Sequence, residues 1–311
     1  MVEFDISVII PCYNEKEFLN NMLQSLVREL VKSQLRYEII FCDNGSNDGS
    51  IDIAKQFSLH LFNSVSKTVA GVRNDGVSVS RGKVLIFLDA DIIVGNDWGR
   101  EVNKLYHRVV GSKIIIGTHP TFADTVSPIL RPWYTAISND MRNTHLGTGH
   151  MMISSANFHS IGGFDDSLVT GEDYDFCVKA KQFGVSIVTE SRLVVCHVGY
   201  PDNVIDFAKR EMWHGEGDFA NFNSMMKSKV ALASLCFSLL LFFAAVMMFF
   251  NIFVSFVLVA LALLLATAVQ YYKFGFISFM SSIVRSYVSC IYLFSRSLSP
   301  FLIMIKKLQH C

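Results

Sequence analysis

The sequence predicts an α/β fold: a mostly parallel sheet with flanking helices, followed by C-terminal transmembrane helices. Two observations support this prediction. Strand-like and helix-like segments alternate as far as about residue 225, and a long run without charged residues follows. Such alternation is typical of parallel sheets that carry helices on both faces. We therefore expect one domain over residues 1–225 and a membrane domain over residues 226–311.

Short apolar or β-branched runs predict the first strands, at Ile6–Pro11, Tyr37–Asp43, Leu59–Asn63 and Lys83–Asp91. Helical spacing of apolar residues predicts helices between them, over 15–30 and 68–80. Further strands are predicted at 113–118, 149–155, 185–190 and 193–199. Residues 119–147 contain three prolines and no regular period, so we expect irregular or mobile structure there.

The membrane prediction starts from the run Val230 to Tyr272, which contains no Asp, Glu, Lys, Arg or His. One span takes about 20 apolar residues, so this run predicts a transmembrane hairpin over about 230–272 that turns at Asn251. Lys227 and Lys273 flank the run. Basic residues at both outer ends predict that both ends are cytoplasmic.

A second apolar stretch covers about 274–305 and contains Arg285. It fits a third span, at a cost of a few kcal/mol for the buried charge. It also fits an interfacial helix, which we favour because Lys306 and Lys307 then stay on the cytoplasmic side.

Composition limits the classes of function. The formal net charge is zero and no basic run is present, which argues against nucleic acid as a partner. The seven cysteines are scattered and form no C-x-x-C pair. This pattern suits reduced thiols in a cytosol-facing domain rather than a zinc site.

Polar clusters follow three predicted strands, at Pro11–Glu15, Asp43–Ser46 and Asp89–Asp91. In open parallel sheets, ligands bind beyond the carboxyl ends of the strands. We therefore expect the three clusters to line one crevice.

Asp89 and Asp91 stand one residue apart at the end of a buried strand. Two like charges so close repel each other, and a divalent cation between them would offset that repulsion. Mg²⁺ and Mn²⁺ prefer oxygen ligands and are often completed by substrate phosphates. The alternative is an acidic turn exposed to water.

Other candidate residues also have two interpretations. Glu172, Asp173 and Asp175 open a predicted helix, where a carboxylate can act as a general base or merely cap the helix. His197 ends a predicted strand, and this position fits either a metal ligand or an ordinary semi-buried histidine. Arg73 fits a phosphate contact.

Five motifs together resemble glycosyltransferase family 2, whose members have the GT-A fold. They are VIIPCYNE (Val8–Glu15), DNGSNDGS (Asp43–Ser50), AGVRNDGVSVSRGKVLIFLDAD (Ala70–Asp91), GGFDD (Gly162–Asp166) and GEDYDF (Gly171–Phe176). The resemblance covers about residues 4–220, with the motifs in the family's order and spacing.

The resemblance implies roles for individual residues. A nucleotide-sugar site is expected from Pro11, Tyr13, Glu15, Asp43, Arg73 and Asp89, with Asp43 on the base edge and Arg73 near the diphosphate. A site for Mn²⁺ or Mg²⁺ is expected from Asp89, Asp91 and His197. Asp173 matches the catalytic base of the family. Gly163 and Glu172 are expected in the loop that contacts the donor and the acceptor.

One segment departs from the family pattern. Processive polysaccharide synthases carry Gln-x-x-Arg-Trp near the membrane, whereas this chain has KREMWHGEG, without the glutamine. We therefore expect a single sugar addition rather than polymerisation. Arg210 and Trp213 of this segment fit either a diphosphate contact or an anchor at headgroup level.

The reaction implied is a metal-dependent, inverting transfer from a nucleotide-sugar, by default a UDP-sugar, to a membrane-associated acceptor. Such an acceptor would be a lipid-linked saccharide of cell-surface polysaccharide synthesis, with the enzyme in the bacterial inner membrane and its catalytic domain cytoplasmic. Alternatives are a polyprenyl-phosphate sugar synthase, a catalytically silent membrane scaffold and, more distantly, a nucleotidyltransferase.

Overall fold

The structure is a computed structural model that describes residues 4–139, 145–276 and 278–309. The chain forms two compact units. The first unit combines Met1–Ala123 with Ser138–Tyr200, and the second combines Asp124–Ile137 with Pro201–Cys311. The domain boundary at residue 225 stays a prediction.

The strands are β1 (Phe4–Cys12), β2 (Tyr37–Asp43), β3 (His60–Asn63), β4 (Gly82–Leu88), β5 (Ile92–Val94), β6 (Ile114–Gly117), β7 (Thr121–Phe122), β8 (His150–Ser154), β9 (Ser186–Thr189) and β10 (Val195–His197). Seven of them form one sheet in the order β3-β2-β1-β4-β8-β6-β9, and the other three form a small sheet in the order β5-β10-β7. Strands β3, β2, β1 and β4 are parallel, and β8 is antiparallel to its neighbours. The predicted fold class, a mostly parallel sheet with flanking helices, is confirmed.

The helices of the first unit are α1 (Lys16–Ser33), α2 (Ser50–Ala54), α3 (Val69–Ser78), α4 (Trp98–Gly111), α6 (Ser155–Ile161) and α7 (Glu172–Gln182), and α5 (Arg131–Ser138) lies almost entirely in the second unit. The second unit continues with α8 (Val204–Asp218), α9 (Phe222–Lys227), α10 (Lys229–Met247), α11 (Ile252–Phe274), α12 (Phe279–Ser297) and α13 (Ser299–Gln309).

Alternate residues of the central strands bury opposite faces of the large sheet. Val8 and Ile10 pack with apolar residues of α1 and α4, whereas Ile9 and Phe87 pack with residues of α3, α6 and α7. Helices thus cover both faces, and the central strands read as continuous apolar runs because neither face meets water.

The register brings the polar strand ends to one edge of the sheet. Cys12 pairs with Asp43 at the ends of β1 and β2, and Ile9 pairs with Phe87 of β4. The three loops that follow β1, β2 and β4 therefore leave the sheet at the same edge, as the sequence predicts.

Residues 119–147 are more regular than we predicted. They contain β7 and the helix α5, whose Trp133 and Tyr134 are buried, so the prediction of irregular structure was wrong for this helix. The rings of Trp133 and Phe207 lie 5.7 Å apart, and those of Trp133 and Tyr292 lie 5.1 Å apart. These contacts come from remote parts of the chain, and a local pattern cannot reveal them. Residues 140–144 of this stretch lie outside the described residues.

Among the residues that the structure describes, three helical stretches of the second unit are long and apolar enough to cross a membrane: Lys229–Met247, Ile252–Phe274 and Phe279–Leu308. Asn251 accepts hydrogen bonds from the backbone N–H groups of Phe253 and Val254 and so begins α11, as the predicted hairpin turn requires. The stretch 279–308 is long and apolar enough for a span. Length and composition do not distinguish a spanning helix from an interfacial one, so its placement across or along the membrane stays a prediction.

Candidate active site at the carboxyl edge of the sheet

Asp89 and Asp91 occupy the link between β4 and β5. The backbone N–H of Asp89 donates to the carbonyl of Gly149 (3.3 Å), and the N–H of Ile92 donates to the carbonyl of Asp89 (3.1 Å). These bonds fix a tight turn directly after the buried strand. The turn leaves the Asp89 side chain 29% exposed and that of Asp91 14% exposed, so neither carboxylate points into open solvent.

The small sheet brings His197 to this turn. Strand β10 pairs with β5 in antiparallel fashion, and His197 lies opposite Ile92. His197 Nδ1 is 3.3 Å from Asp91 Oδ2, and one ligand atom from each of Asp89, Asp91 and His197 lies within 4.8 Å of the others. Two carboxylates and an imidazole are a donor set that suits a divalent cation such as Mn²⁺. A candidate metal site is therefore present.

Gly199 packs directly against this cluster. A Cβ at residue 199 would overlap Asp91 Oδ2, and the ring of the neighbouring Tyr200 stacks on His197 with 4.0 Å between centroids. Gly199 and Tyr200 were not predicted as site residues, because nothing local in the sequence links either residue to Asp91.

Gly199→Ala is expected to displace the Asp91 carboxylate and to weaken Mn²⁺ binding by about 10- to 100-fold. Substitutions of residues that contact and orient a metal ligand commonly have effects of this size. Titration of Mn²⁺ by electron paramagnetic resonance measures this. Gly111→Ala is the matched control, because a Cβ there meets nothing within 4 Å. Equal Mn²⁺ affinity in the two variants would contradict the assignment of Asp91.

Arg73 joins the acidic turn to the start of α7. Its guanidinium donates from Nη2 to Asp89 Oδ1 (2.6 Å) and from Nη1 to Glu172 Oε1 (2.8 Å), and its side chain is only 3% exposed. Thr148 Oγ1 donates to the same Glu172 oxygen (3.2 Å). Sequence reasoning missed Thr148, although its position between two glycines in GTG was a visible signal. Arg73 thus holds two carboxylates in place, and its predicted diphosphate contact stays a prediction.

Arg73→Ala is expected to lower the free energy of unfolding by about 3 kcal/mol, because it leaves two carboxylates without their cation. Arg100→Ala is the control, since Arg100 and Asp97 form an exposed pair that contributes about 1 kcal/mol or less. Chemical denaturation of both variants in detergent measures the difference. A loss no larger than that of Arg100→Ala would show that the buried cation does not stabilise the site.

Asp173 occupies the first turn of α7. Gly171 precedes the helix with a φ of 83°, a left-handed conformation that glycine adopts readily. Burial, and then repulsion by Glu172, raise the pKa of Asp173 to about 7, although Arg73 opposes the shift. Gly147 leaves room beside it, since a Cβ there would lie 3.7 Å from Asp173 Oδ2. A carboxylate with such a pKa is suited to exchange a proton near neutral pH.

Hydrogen bonds of serine side chains join the loops after β1 and β2. The N–H of Asn14, whose φ is 58°, donates to Ser46 Oγ, and the N–H of Glu15 donates to Ser50 Oγ, both at 2.9 Å. Tyr13 is 61% exposed on the first loop, whereas Pro11 is buried at the end of β1. Ser46 and Ser50 belong to the motif DNGSNDGS, but no role was predicted for either serine.

Glu15 lies in the loop after β1, and Asp43 is the last residue of β2. Burial, and then repulsion by Asp89, raise the pKa of Glu15 to about 7. Asp43 is 2% exposed, and its Oδ2 accepts the N–H groups of Gly45 (2.9 Å) and Ser46 (3.1 Å). Its Oδ1 is buried and has no hydrogen-bond partner among the residues that the structure describes. Asp43 therefore offers an acceptor that a ligand N–H can satisfy.

Gly163 lies in the loop between α6 and α7 with a φ of 74°. The side chain of Asn74 holds this loop through two bonds to the backbone of Phe164, at 2.9 and 3.1 Å. The loop is therefore tied to α3, the helix that carries Arg73, and a direct contact of Gly163 with donor or acceptor stays a prediction.

Arg210 and Trp213 lie on α8 in the second unit. Arg210 Nε donates to His214 Nε2 (3.3 Å), and Trp213 is 40% exposed. Their predicted contact with a diphosphate stays a prediction.

Comparisons with known proteins identify the family of this chain. The family model "Glycosyl transferase family 2" matches residues 7–159, and the model "Glycosyl transferase family group 2" matches residues 84–271. The second match includes more than half of the chain, and the first includes the acidic turn.

Two relatives of this chain are named as sugar transferases. The glycosyltransferase AglE of Haloferax volcanii is 24% identical over 225 residues, which cover 68% of this chain and 72% of AglE. The validoxylamine A glucosyltransferase of Streptomyces hygroscopicus subsp. limoneus is 23% identical over 220 residues, which cover 58% of this chain. The match spans 48% of that second relative.

One solved structure extends the comparison to the fold. The mannosyltransferase PcManGT of Pyrobaculum calidifontis, solved in complex with GDP-Man and Mn²⁺, matches with a TM-score of 0.58 and 16% identity, over 96% of this chain and 87% of that chain. This likeness concerns the fold alone. Together with the family matches and the five motifs, it shows that the chain is an enzyme of glycosyltransferase family 2, with the GT-A fold.

Proposed function

We propose that the enzyme transfers a sugar, with inversion, from a nucleotide-sugar to a hydroxyl group of a membrane-associated acceptor such as a lipid-linked saccharide. One observation carries this proposal: the Asp89–Asp91–His197 cluster is connected through Arg73 to the start of the helix that carries Asp173. A metal site and a general base so linked are the two parts that an inverting transfer needs.

Asp89, Asp91 and His197 would hold Mn²⁺ or Mg²⁺. A divalent cation held there would supply positive charge that stabilises a departing nucleoside diphosphate. The donor set supports this, because two carboxylates and one imidazole leave several coordination positions for water and phosphate oxygens.

Asp173 would act as the base. It accepts the proton of the acceptor hydroxyl, whose oxygen forms a bond to the anomeric carbon while the bond from that carbon to the diphosphate oxygen breaks. The carboxylate becomes a carboxylic acid, and the pKa of about 7 suits both forms. A single displacement of this kind inverts the configuration of the anomeric carbon.

The nucleotide would bind over the ends of β1 and β2. Asp43 Oδ1, a buried acceptor, would take an N–H from the base, and Tyr13, exposed on its loop, would contact the base or ribose. Pro11 and Glu15 would complete this side of the pocket. We propose a UDP-sugar as the donor, and Glu172 and Gly163 as parts of the loop that meets donor and acceptor.

The second unit would keep the enzyme at its acceptor. Three apolar helical stretches support attachment to a membrane, and Lys227 and Lys273 beside the hairpin support a cytoplasmic location of its ends. We therefore propose that the enzyme is bound to the bacterial inner membrane and that its acceptor is a lipid-linked component of cell-surface polysaccharide synthesis.

A panel of UDP-, GDP- and dTDP-sugars tests the donor by thermal shift, with Mn²⁺ or with chelator. A donor that binds only the folded state raises the midpoint temperature of unfolding. At a donor concentration of 100 Kd, the folded state is stabilised by about 2.7 kcal/mol. We expect UDP-sugars to stabilise the enzyme only with metal. No stabilisation by any nucleotide-sugar with Mn²⁺ would favour the scaffold alternative.

A further inference from the structure

We propose that α12 and α13 do not form a third span but lie in the membrane interface. They would form an apolar platform against the lipid leaflet on the side where α10 begins and α11 ends. The described part of the second unit would then cross the bilayer twice, with the start of α10 and the end of α13 on one side. This inference rests on contacts within the second unit and does not depend on the proposed reaction.

The hairpin of α10 and α11 defines the two sides. Lys229 Nζ donates to Tyr272 OH (3.2 Å), which joins the first residue of α10 to the end of α11. At the opposite end, Ser255 Oγ donates to the carbonyl of Ala244 (2.8 Å). The start of α10 and the end of α11 therefore mark one level of the membrane, which we call the entry level.

Two positions of α12 stay at the entry level. Arg285 Nη2 donates to the carbonyl of Gly275 (3.5 Å), and the ring centroid of Tyr292 lies 4.5 Å from Lys273 Nζ. A helix that descended alongside α11 would carry Tyr292 about 10 Å deeper than Arg285, at 1.5 Å per residue. Since both residues contact the last residues of α11 or the turn after it, α12 runs across that end.

The last turn of α12 contacts the first half of α10 and the residues that precede this helix. Arg296 Nη1 donates to Asp218 Oδ2 (2.6 Å), and Ser228, which caps α10, donates to Asp218 Oδ1 (2.8 Å). Ser297 and Ser238 share a hydrogen bond of 2.6 Å, and Ser238 lies about 14 Å along α10 from Lys229. The hydrocarbon core is about 30 Å thick, so the end of α12 does not reach the other side.

Helix α13 then lies along α8. Ser299 Oγ donates to the carbonyl of Met212 (2.7 Å), and Lys306 Nζ donates to Glu216 Oε1 (2.5 Å). Arg296 also binds Glu211 of α8, with Nη2 2.9 Å from Oε2. A helix as rich in charges as α8 belongs in the headgroup region rather than in hydrocarbon. Since both ends of α13 are tied to α8, α13 lies there too.

The outer faces of α12 and α13 fit a lipid leaflet. The exposed apolar residues of α13 recur at helical spacing, and they are Phe301, Met304, Ile305 and Leu308. Those of α12 include Phe279, Ile283, Tyr287 and Phe294. Ile283 and Tyr287 also line a groove of about 430 Å³ with Leu263 and Thr267 of α11. This face therefore continues the apolar surface of the hairpin, which identifies lipid as its partner.

Protease protection of the full chain in sealed, inside-out membrane vesicles tests the number of spans. Epitope tags are placed before residue 1, after residue 311 and, as the opposite-side control, between Phe249 and Phe250 in the α10–α11 turn. We expect the two terminal tags to be digested together while the turn tag is protected. A C-terminal tag that is protected together with the turn tag would establish a third span and overturn the proposal.

Lys306 and Lys307 provide a matched pair of variants. Lys306→Gln removes the bond to Glu216, whereas Lys307 is exposed on the same helix. We expect amide hydrogen exchange of residues 300–308 to rise at least about tenfold in Lys306→Gln, because α13 detaches from α8, and to stay unchanged in Lys307→Gln. Unchanged exchange in Lys306→Gln would contradict the attachment of α13 to α8.

Discussion

Replacing Asp91 with alanine is expected to abolish metal-dependent binding of the nucleotide-sugar and to lower sugar transfer by about 1,000-fold or more. Asp91 is the candidate ligand that lies 3.3 Å from His197, and its side chain is only 14% exposed. A catalytic cation supplies several kcal/mol of stabilisation to a transition state that develops negative charge, and each 1.36 kcal/mol corresponds to a tenfold change in rate.

Asp52→Ala is the control for this variant, because Asp52 is a carboxylate of the same unit with a side chain that is 82% exposed. Calorimetry with Mn²⁺ and with chelator measures the affinity for UDP. This separates an effect on nucleotide binding from an effect on the rate of sugar transfer. If Asp91→Ala binds UDP as tightly as the unmodified enzyme under both conditions, Asp91 is not a metal ligand.

Asp173→Asn is expected to lower transfer to a hydroxyl acceptor by about 100- to 10,000-fold, the usual contribution of a general base. Donor binding should not change, since the amide keeps the size of the carboxylate. Asp175→Asn is the matched control on the same turn of α7, where Asp175 pairs with Lys179 at 2.7 Å, and it should retain most of the activity.

The same variant separates the two acceptor classes. A phosphate oxygen is already ionised near neutral pH and needs no base, so a polyprenyl-phosphate sugar synthase would keep its activity after Asp173→Asn. Full transfer to polyprenyl phosphate by this variant would therefore replace the hydroxyl acceptor of our proposal with the phosphate acceptor.

The raised pKa of Asp173 also predicts how activity depends on pH. The base works in its ionised form, so transfer should rise with pH and level off above about 7. Glu15 has a similarly raised pKa, so the Glu15→Gln variant must retain this rise in activity with pH if Asp173 is its cause.

The contribution of Asp173 to the stability of the fold depends on pH in the opposite direction. Between the ordinary value of 3.8 and about 7, folded Asp173 holds a proton that the unfolded chain releases, so its contribution to stability falls as pH rises.

Much of the first unit could be predicted because its determinants are local. The apolar runs of β1, β2 and β4 are buried on both sides, and short runs with that composition predict strands of a covered parallel sheet. The position of Asp43 and Asp89 at one edge then follows from the topology. Five motifs in order made the family recognisable from the residues alone.

Other features depend on contacts between remote residues, which spacing does not encode. Arg73 and Glu172 are 99 positions apart, yet they form a buried ion pair. Thr148 reaches the same carboxylate from a third segment. Helix α5 was missed because Trp133 is buried by Phe207 and Tyr292 rather than by its own neighbours.

The most direct test of the proposed site is a crystal structure of the enzyme with Mn²⁺ and UDP, with anomalous diffraction recorded at the manganese edge. We predict one manganese peak within bonding distance of Asp91 and of a diphosphate oxygen, with Asp89 or His197 completing the protein ligands. Diphosphate bound without manganese at Asp91, or manganese bound only elsewhere on the protein, would contradict the assignment of this site.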